Sequence, residues 1–221
     1  MATICCFAIV SKKELVLVNA AVVERVLCVV DRCLRRQFPD DHYKRCMYAS
    51  FGVHSLLEAL GYSPEIVGGS FLAFVVSRDQ SRSTMQGYAN QSSEHAHYWV
   101  ELDGAIIDLG TYYLPVGSSF PAIEMPAVFW GRSYPLPKGL RYVPEARYPS
   151  TDAYLTPDII EKMVPFLAAC HTRIGQPLVR PKVGKWLVTT PSSIHKAATK
   201  GDMWARAVLR YQSMPAERLP V

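Results

Sequence analysis

Cys46, His97 and Asp108 are the residues of this chain whose types and order could run one reaction. A thiolate attacks an acyl carbon, an imidazole moves the proton, and a carboxylate holds the imidazole. Cys46 opens the stretch RCMYASFGVHSLLEALG, in which Ala49, Val53, Leu56, Leu57 and Leu60 recur at helical spacing and Gly61 stands at a C-cap position. Pro39 and two aspartates in the preceding FPDDHYK break any earlier helix, so the spacing predicts a helix with the thiol in its first turn. Unpaired N–H groups and the positive end of the helix dipole favour a thiolate there and can hold a developing oxyanion. Taken alone, Cys46 also reads as an ordinary small core residue. The downstream residues tip the balance.

Those residues are HAHYWVELDGAIIDLG, positions 95–110. Asp103-Gly104 is a two-residue type I′ hairpin signal between alternating runs. The register it sets pairs Glu101 with Ile106, Trp99 with Asp108 and His97 with Gly110. A period of two then puts His95, His97, Trp99, Glu101, Ile106 and Asp108 on one face. Tyr98, Val100, Leu102, Ala105, Ile107 and Leu109 form an apolar opposite face. Asp108 lies diagonally across from His97, roughly 7–8 Å between backbones, within reach of an imidazole. A carboxylate so placed orients the ring and fixes its tautomer. His95 is the alternative base, and Glu101 supports the site or faces solvent. His54, His171 and His195 read as structural or surface residues.

The elements that must position these side chains follow from the patterning. Residues 14–38 form an amphipathic helix with Arg32, Arg35 and Arg36 near its C-terminal end, suited to cover one face of the Cys46 helix. Glu65–Val67 and Phe71–Ser77 read as two strands separated by Gly68-Gly69, the second buried on both faces. Residues 78–94 are polar without apolar period and read as a functional loop. Residues 111–150 read as wrapping loops with one possible strand at Ala127–Trp130. Thr156-Pro157-Asp158 opens a helix to about His171. A short helix from about Ser192 and a last one over 201–213 end the pattern. The fold class expected is α+β, a helical layer on an antiparallel sheet of four to six strands. One domain is expected over 1–221, with a core at 40–133, the 14–38 helix before it and a helical extension over 154–213.

Composition narrows the function classes. The chain has 221 residues, 49% hydrophobic and 19% charged, enough for one substantial core. A formal charge of +5 with scattered Lys and Arg gives no basic patch of the nucleic-acid-binding kind. The six cysteines show no metal-ligand spacing and no dense framework, so reduced thiols in a cytoplasmic setting are expected. Residues 1–10 are apolar but lack a charged leader region, and Leu15 to Val23, interrupted by Asn19, falls short of the roughly 20 residues that cross a bilayer. No cofactor, metal ion or membrane partner is called for.

The ordered set Cys46 with Tyr48-Ala49, Leu56-Leu57, Leu60-Gly61, Pro64, Val67 and Gly69, then His97, Trp99-Val100-Glu101 and Asp108, resembles the transglutaminase-like branch of the papain-like cysteine enzymes. That group includes bacterial transglutaminase-like peptidases, lasso-peptide leader peptidases and, more distantly, arylamine N-acetyltransferases. The resemblance covers residues 45–110. It implies a papain-like core with Cys46 as nucleophile, His97 as base and then acid, and Asp108 as orienter. It further implies acyl transfer through a thioester from a peptide or small amide or acyl substrate. The glutamine that such enzymes place before the cysteine is absent. Asp40, Asp41, His42 and Tyr43 stand there, leaving His42 or Tyr43 as candidates for the oxyanion donor. Two other readings fit the same residues: a catalytically silent binding domain, and a zinc hydrolase using His95 and His97 as a His-x-His ligand pair.

Overall fold

The computed structural model describes residues 19–88, 96–148, 156–178 and 182–215. Helix α1 spans Ala20–Gln37 and is capped by Asn19, whose side chain accepts from the Ala21 N–H at 2.9 Å. It buries Val23, Val26, Leu27, Val30 and Leu34. A 3-10 turn, His42–Lys44, leads into α2, Cys46–Ala59. Gly61 closes α2 with φ +88°, a conformation glycine adopts without penalty. The sequence suggests a single apolar stripe on α2, but nine of its 14 residues are buried, as in a helix enclosed on several sides. Helix α1 covers it, as expected, and, after the one-turn α3 at Gly110–Tyr113, α4, Pro157–Ile174, packs on both. Gly52 permits this closeness, since a Cβ there would lie 3.0 Å from the Phe166 ring of α4 and 3.1 Å from Val30. Leu60, assigned to the stripe, is 49% exposed because it lies past the last helical turn.

Under this layer lies a seven-stranded sheet. Its strands are β1 Glu65–Val76, β2 Ser83–Tyr88, β3 His97–Leu102, β4 Ala105–Asp108, β5 Ala127–Trp130, β6 Leu140–Tyr148 and β7 Leu187–Val188. Pairing runs β2-β1-β3-β4-β5-β7, with β6 also on β1. All pairs are antiparallel except β5 with β7, so the sheet is mixed and larger than the sequence implied. Strand β1 is the spine. It pairs with β3 over Glu65–Gly69 and with β2 over Phe71–Val76, and β6 follows it from Ile66 to Ala73.

Three expectations are corrected here. Gly68-Gly69 does not divide two strands; β1 runs through it, with a register shift against β6 between the two glycines. A Cβ on Gly69 would sit 2.1 Å from the Val143 carbonyl oxygen, so the close approach of β6 requires glycine. Residues 83–88, read as loop, form β2, which lacks alternation because neither face is deeply buried. Residues 140–148, also read as loop, form β6, an edge strand that tolerates Pro144 because it pairs on one side only.

The β3–β4 hairpin follows the expected register, Leu102 opposite Ala105, Glu101 opposite Ile106 and Val100 opposite Ile107. Asp103 and Gly104 both have positive φ, as a type I′ turn demands. Val100, Leu102, Ile107 and Leu109 pack with the helical layer. A second core joins Phe71, Ala73, Val75, Val128 and Trp130 to α5, Pro191–Thr199, and α6, Met203–Gln212, through Ile194, Trp204 and Val208. The Trp204 indole donates to the Phe74 carbonyl at 2.8 Å. Among the described residues no helix is long and apolar enough to cross a membrane.

Candidate active site

Cys46 is the first residue of α2 and is partly exposed. No side chain caps this helix: Arg45, at the N-cap, is instead paired with Asp41 and lies over the Phe38 ring at 4.8 Å. The first N–H groups of α2 are thus left to the thiol and whatever binds beside it.

His97 starts β3 and is 0% exposed. Its Nε2 faces Asp108 Oδ2 at 2.9 Å, while its buried Nδ1 has no hydrogen-bond partner. With an ionised Asp108, Nε2 carries the hydrogen, which leaves Nδ1 to receive a proton. Burial by itself would lower the imidazole pKa. The Asp108 charge and hydrogen bond, with a smaller contribution from adjacent Cys46, outweigh it and push it up to about 10. Cys46 and Asp108 therefore act on the ring together.

Asp108, 4% exposed, is held by three donors. Besides His97, the Tyr142 hydroxyl donates to Oδ2 at 2.8 Å and the Gly110 N–H to Oδ1 at 2.8 Å. Gly110 has a steric reason to be glycine, since a Cβ there would lie 2.6 Å from the imidazole and 2.8 Å from Asp108 Oδ2. Aromatic rings wall in the imidazole: Phe71 at 4.9 Å, Tyr88 stacked at 5.7 Å and Trp99 stacked at 6.1 Å. The Tyr88 phenol is pushed up to about 12 by burial, then by the charges of Cys46, Asp108 and Tyr43, so it stays a hydrogen-bond donor at neutral pH.

Of the residues singled out in the sequence, Cys46, His97 and Asp108 meet. Trp99 flanks them. Glu101 supports at one remove, accepting from the Trp99 indole at 3.2 Å and pairing with Arg147 at 2.7 Å. Tyr43 lies on the Tyr88 side of the site. His42 is turned elsewhere, its ring edge-on to Tyr43 and Tyr113 and its Nδ1 3.3 Å from the Pro39 carbonyl. His95 lies outside the described residues, and with it the His-x-His pair; among the described residues no cluster of three His, Cys, Asp or Glu could hold a metal ion. His54 is buried within α2, while His171 sits 2.8 Å from the Ser55 hydroxyl.

Sequence reasoning missed Phe71, Tyr88, Gly110 and Tyr142. Gly110 left a trace, because the hairpin register already set it opposite His97. The other three lie on strands read as loop or as simple core. Compared with known protein families, curated proteins and solved structures, the chain matches none of them.

Proposed function

We propose that this chain is a cysteine hydrolase or acyltransferase of papain-like, transglutaminase-like type, acting on a peptide or small amide or acyl substrate. The observation that carries the reading is a fully buried histidine, tied to a carboxylate through Nε2 and open at Nδ1, beside a cysteine that begins an uncapped helix. In the proposed reaction Cys46 attacks the carbonyl carbon and the C–N bond breaks as His97 protonates the leaving nitrogen. A thioester remains. Water or an amine, deprotonated by His97, then releases the acyl group and restores the thiol.

Tyr88 fills the gap left by the absent glutamine. Its phenol stays protonated, stacks on His97 and feels the charge of Cys46, which suits a donor to the oxyanion alongside the α2 amides. Site-resolved alkylation with iodoacetamide tests the reading. Cys46 is expected to react at least tenfold faster at pH 7 than Cys28, Cys33 and Cys170, and His97→Ala to remove that advantage. Equal, slow alkylation of Cys46 in both proteins overturns it and leaves a silent binding domain as the better account.

A further inference from the structure

Gln86 stands beside the Cys46 site and takes no part in the reaction described above. It lies on β2 two residues before Tyr88, and the register fixes the face they share. Tyr88 is opposite Phe71 on β1, and Gln86 is opposite Ala73. Phe71 and Tyr88 both meet the His97 ring, at 4.9 and 5.7 Å. Gln86 therefore extends that wall by one step of about 7 Å along the strand. The turn at 117–119 completes the rim. A Cβ on Gly117 would lie 3.7 Å from the ring of Tyr43, in the turn that leads into Cys46. Next to it, the Ser118 hydroxyl donates to Gln86 Oε1 at 3.1 Å and the Ser119 N–H donates to the same oxygen at 3.0 Å.

A backbone N–H can only donate, so the Gln86 atom that meets Ser119 is the amide oxygen. The orientation of the amide is thereby fixed, and Nε2 is the atom left over. That nitrogen is buried and has no acceptor among the described residues. Buried amide donors are nearly always paired, so one held in place through its own oxygen calls for a partner that the free protein lacks. His97 Nδ1 is in the same condition on the neighbouring part of the wall. Gln86 as a whole is half-buried, which puts its amide just beneath the surface that a substrate covers.

We propose that Gln86 is a substrate-binding residue, donating from Nε2 to a backbone carbonyl of an extended peptide, two residues before the carbonyl that Cys46 attacks. The assignment rests on Cys46 as the nucleophile. Carbonyls on one side of an extended chain recur every two residues, about 7 Å, which is the spacing of Gln86 and Tyr88 along β2. A peptide laid along this wall presents the attacked carbonyl at Tyr88 and the earlier one at Gln86. A small acyl donor such as an acetyl compound has one carbonyl and leaves the Gln86 donor unpaired, so the site selects peptides over small acyl substrates. The contact is on the acyl side of the bond that breaks. It persists in the thioester and holds the acyl group while water or an amine approaches.

Two reagents that alkylate Cys46 test this, acetyl-glycyl-glycine chloromethyl ketone and acetyl-glycine chloromethyl ketone. The first has a carbonyl two residues before its ketone; the second stops one residue short. Site-resolved mass spectrometry gives both rates, and their ratio cancels the reactivity of the thiol itself. In the native protein the longer reagent is expected to react at least tenfold faster. Gln86→Glu keeps the oxygen that Ser118 and Ser119 bind but removes the donor, and is expected to bring the ratio close to one. Gln86→Ala is expected to do the same, and covers the case in which the new carboxylate unsettles β2. A native ratio near one, or a tenfold ratio that both variants leave intact, overturns the proposal. A tenfold ratio lost in the variants supports the peptide site even on a Cys46 that iodoacetamide alkylates no faster than Cys28. That last result sinks the proposed reaction alone, so the two failures are told apart.

Discussion

Asp108→Asn removes the charge that holds His97 protonated and changes almost no volume. In the native protein burial pulls the imidazole down, and Asp108, with Cys46, pushes it up to about 10 from 6.5. At about 1.4 kcal/mol per tenfold change, that span corresponds to about 5 kcal/mol of preference for the imidazolium. Without the carboxylate charge, burial dominates and His97 is expected to be neutral at pH 7. The assay is NMR of the His97 Cε1–H signal against pH, with melting followed over the same range. A group whose pKa is raised by folding adds stability that is complete below its unfolded value and lost as pH rises through the folded one. Native stability should therefore fall between about pH 6.5 and pH 10, and Asp108→Asn should flatten that fall. At pH 7 the variant is expected to lose on the order of 3–5 kcal/mol, the usual cost of breaking a buried pair. A native His97 that titrates near 6.5, or one that Asp108→Asn leaves unmoved, refutes the electrostatics described here.

Tyr142→Phe leaves Asp108 Oδ2 without its 2.8 Å phenol donor and should cost about 1.5–3 kcal/mol in denaturant unfolding, as for a hydrogen bond to a charged group. Gly110→Ala forces a methyl to within 2.6 Å of the His97 ring; a loss of about 1–3 kcal/mol and slower Cys46 alkylation at pH 7 are expected, read by melting and mass spectrometry. Tyr88→Phe keeps the ring stacked on His97 but deletes the hydroxyl. Cys46 alkylation should stay fast while acyl transfer from an activated ester falls by about 10²–10³, the usual effect of losing an oxyanion donor.

What the sequence made legible was short-range. Asp103-Gly104 sets the hairpin register, and that register by itself puts His97 and Asp108 on one face. The start of α2 at Cys46 and its end shortly before Gly61 are written in Pro39 and the glycine. Long-range pairing left weaker marks. β2 has no deeply buried face and β6 carries Pro144, so neither alternates in a way that separates strand from loop. Both exist because β1 offers them an edge, a property of a different segment. Tyr88 and Tyr142 arrive at the site on those two strands, which is why the aromatic half of the site was invisible while the triad was not.

The hairpin that joins His97 to Asp108, only 11 residues apart, also sets the order in which the site comes to exist. Chains are synthesised from the N-terminus, and local pairs close before distant ones. The α2 segment leaves the ribosome first, with Cys46 still an unassisted thiol. The imidazole–carboxylate pair follows as a preassembled unit in the hairpin. Tyr142, 34 residues beyond Asp108, locks the carboxylate only when β6 closes on β1. On the function proposed above, Cys46 is thus dormant in the nascent chain and armed late. Ribosome-bound chains halted before residue 97 should alkylate at Cys46 no faster than an ordinary free cysteine.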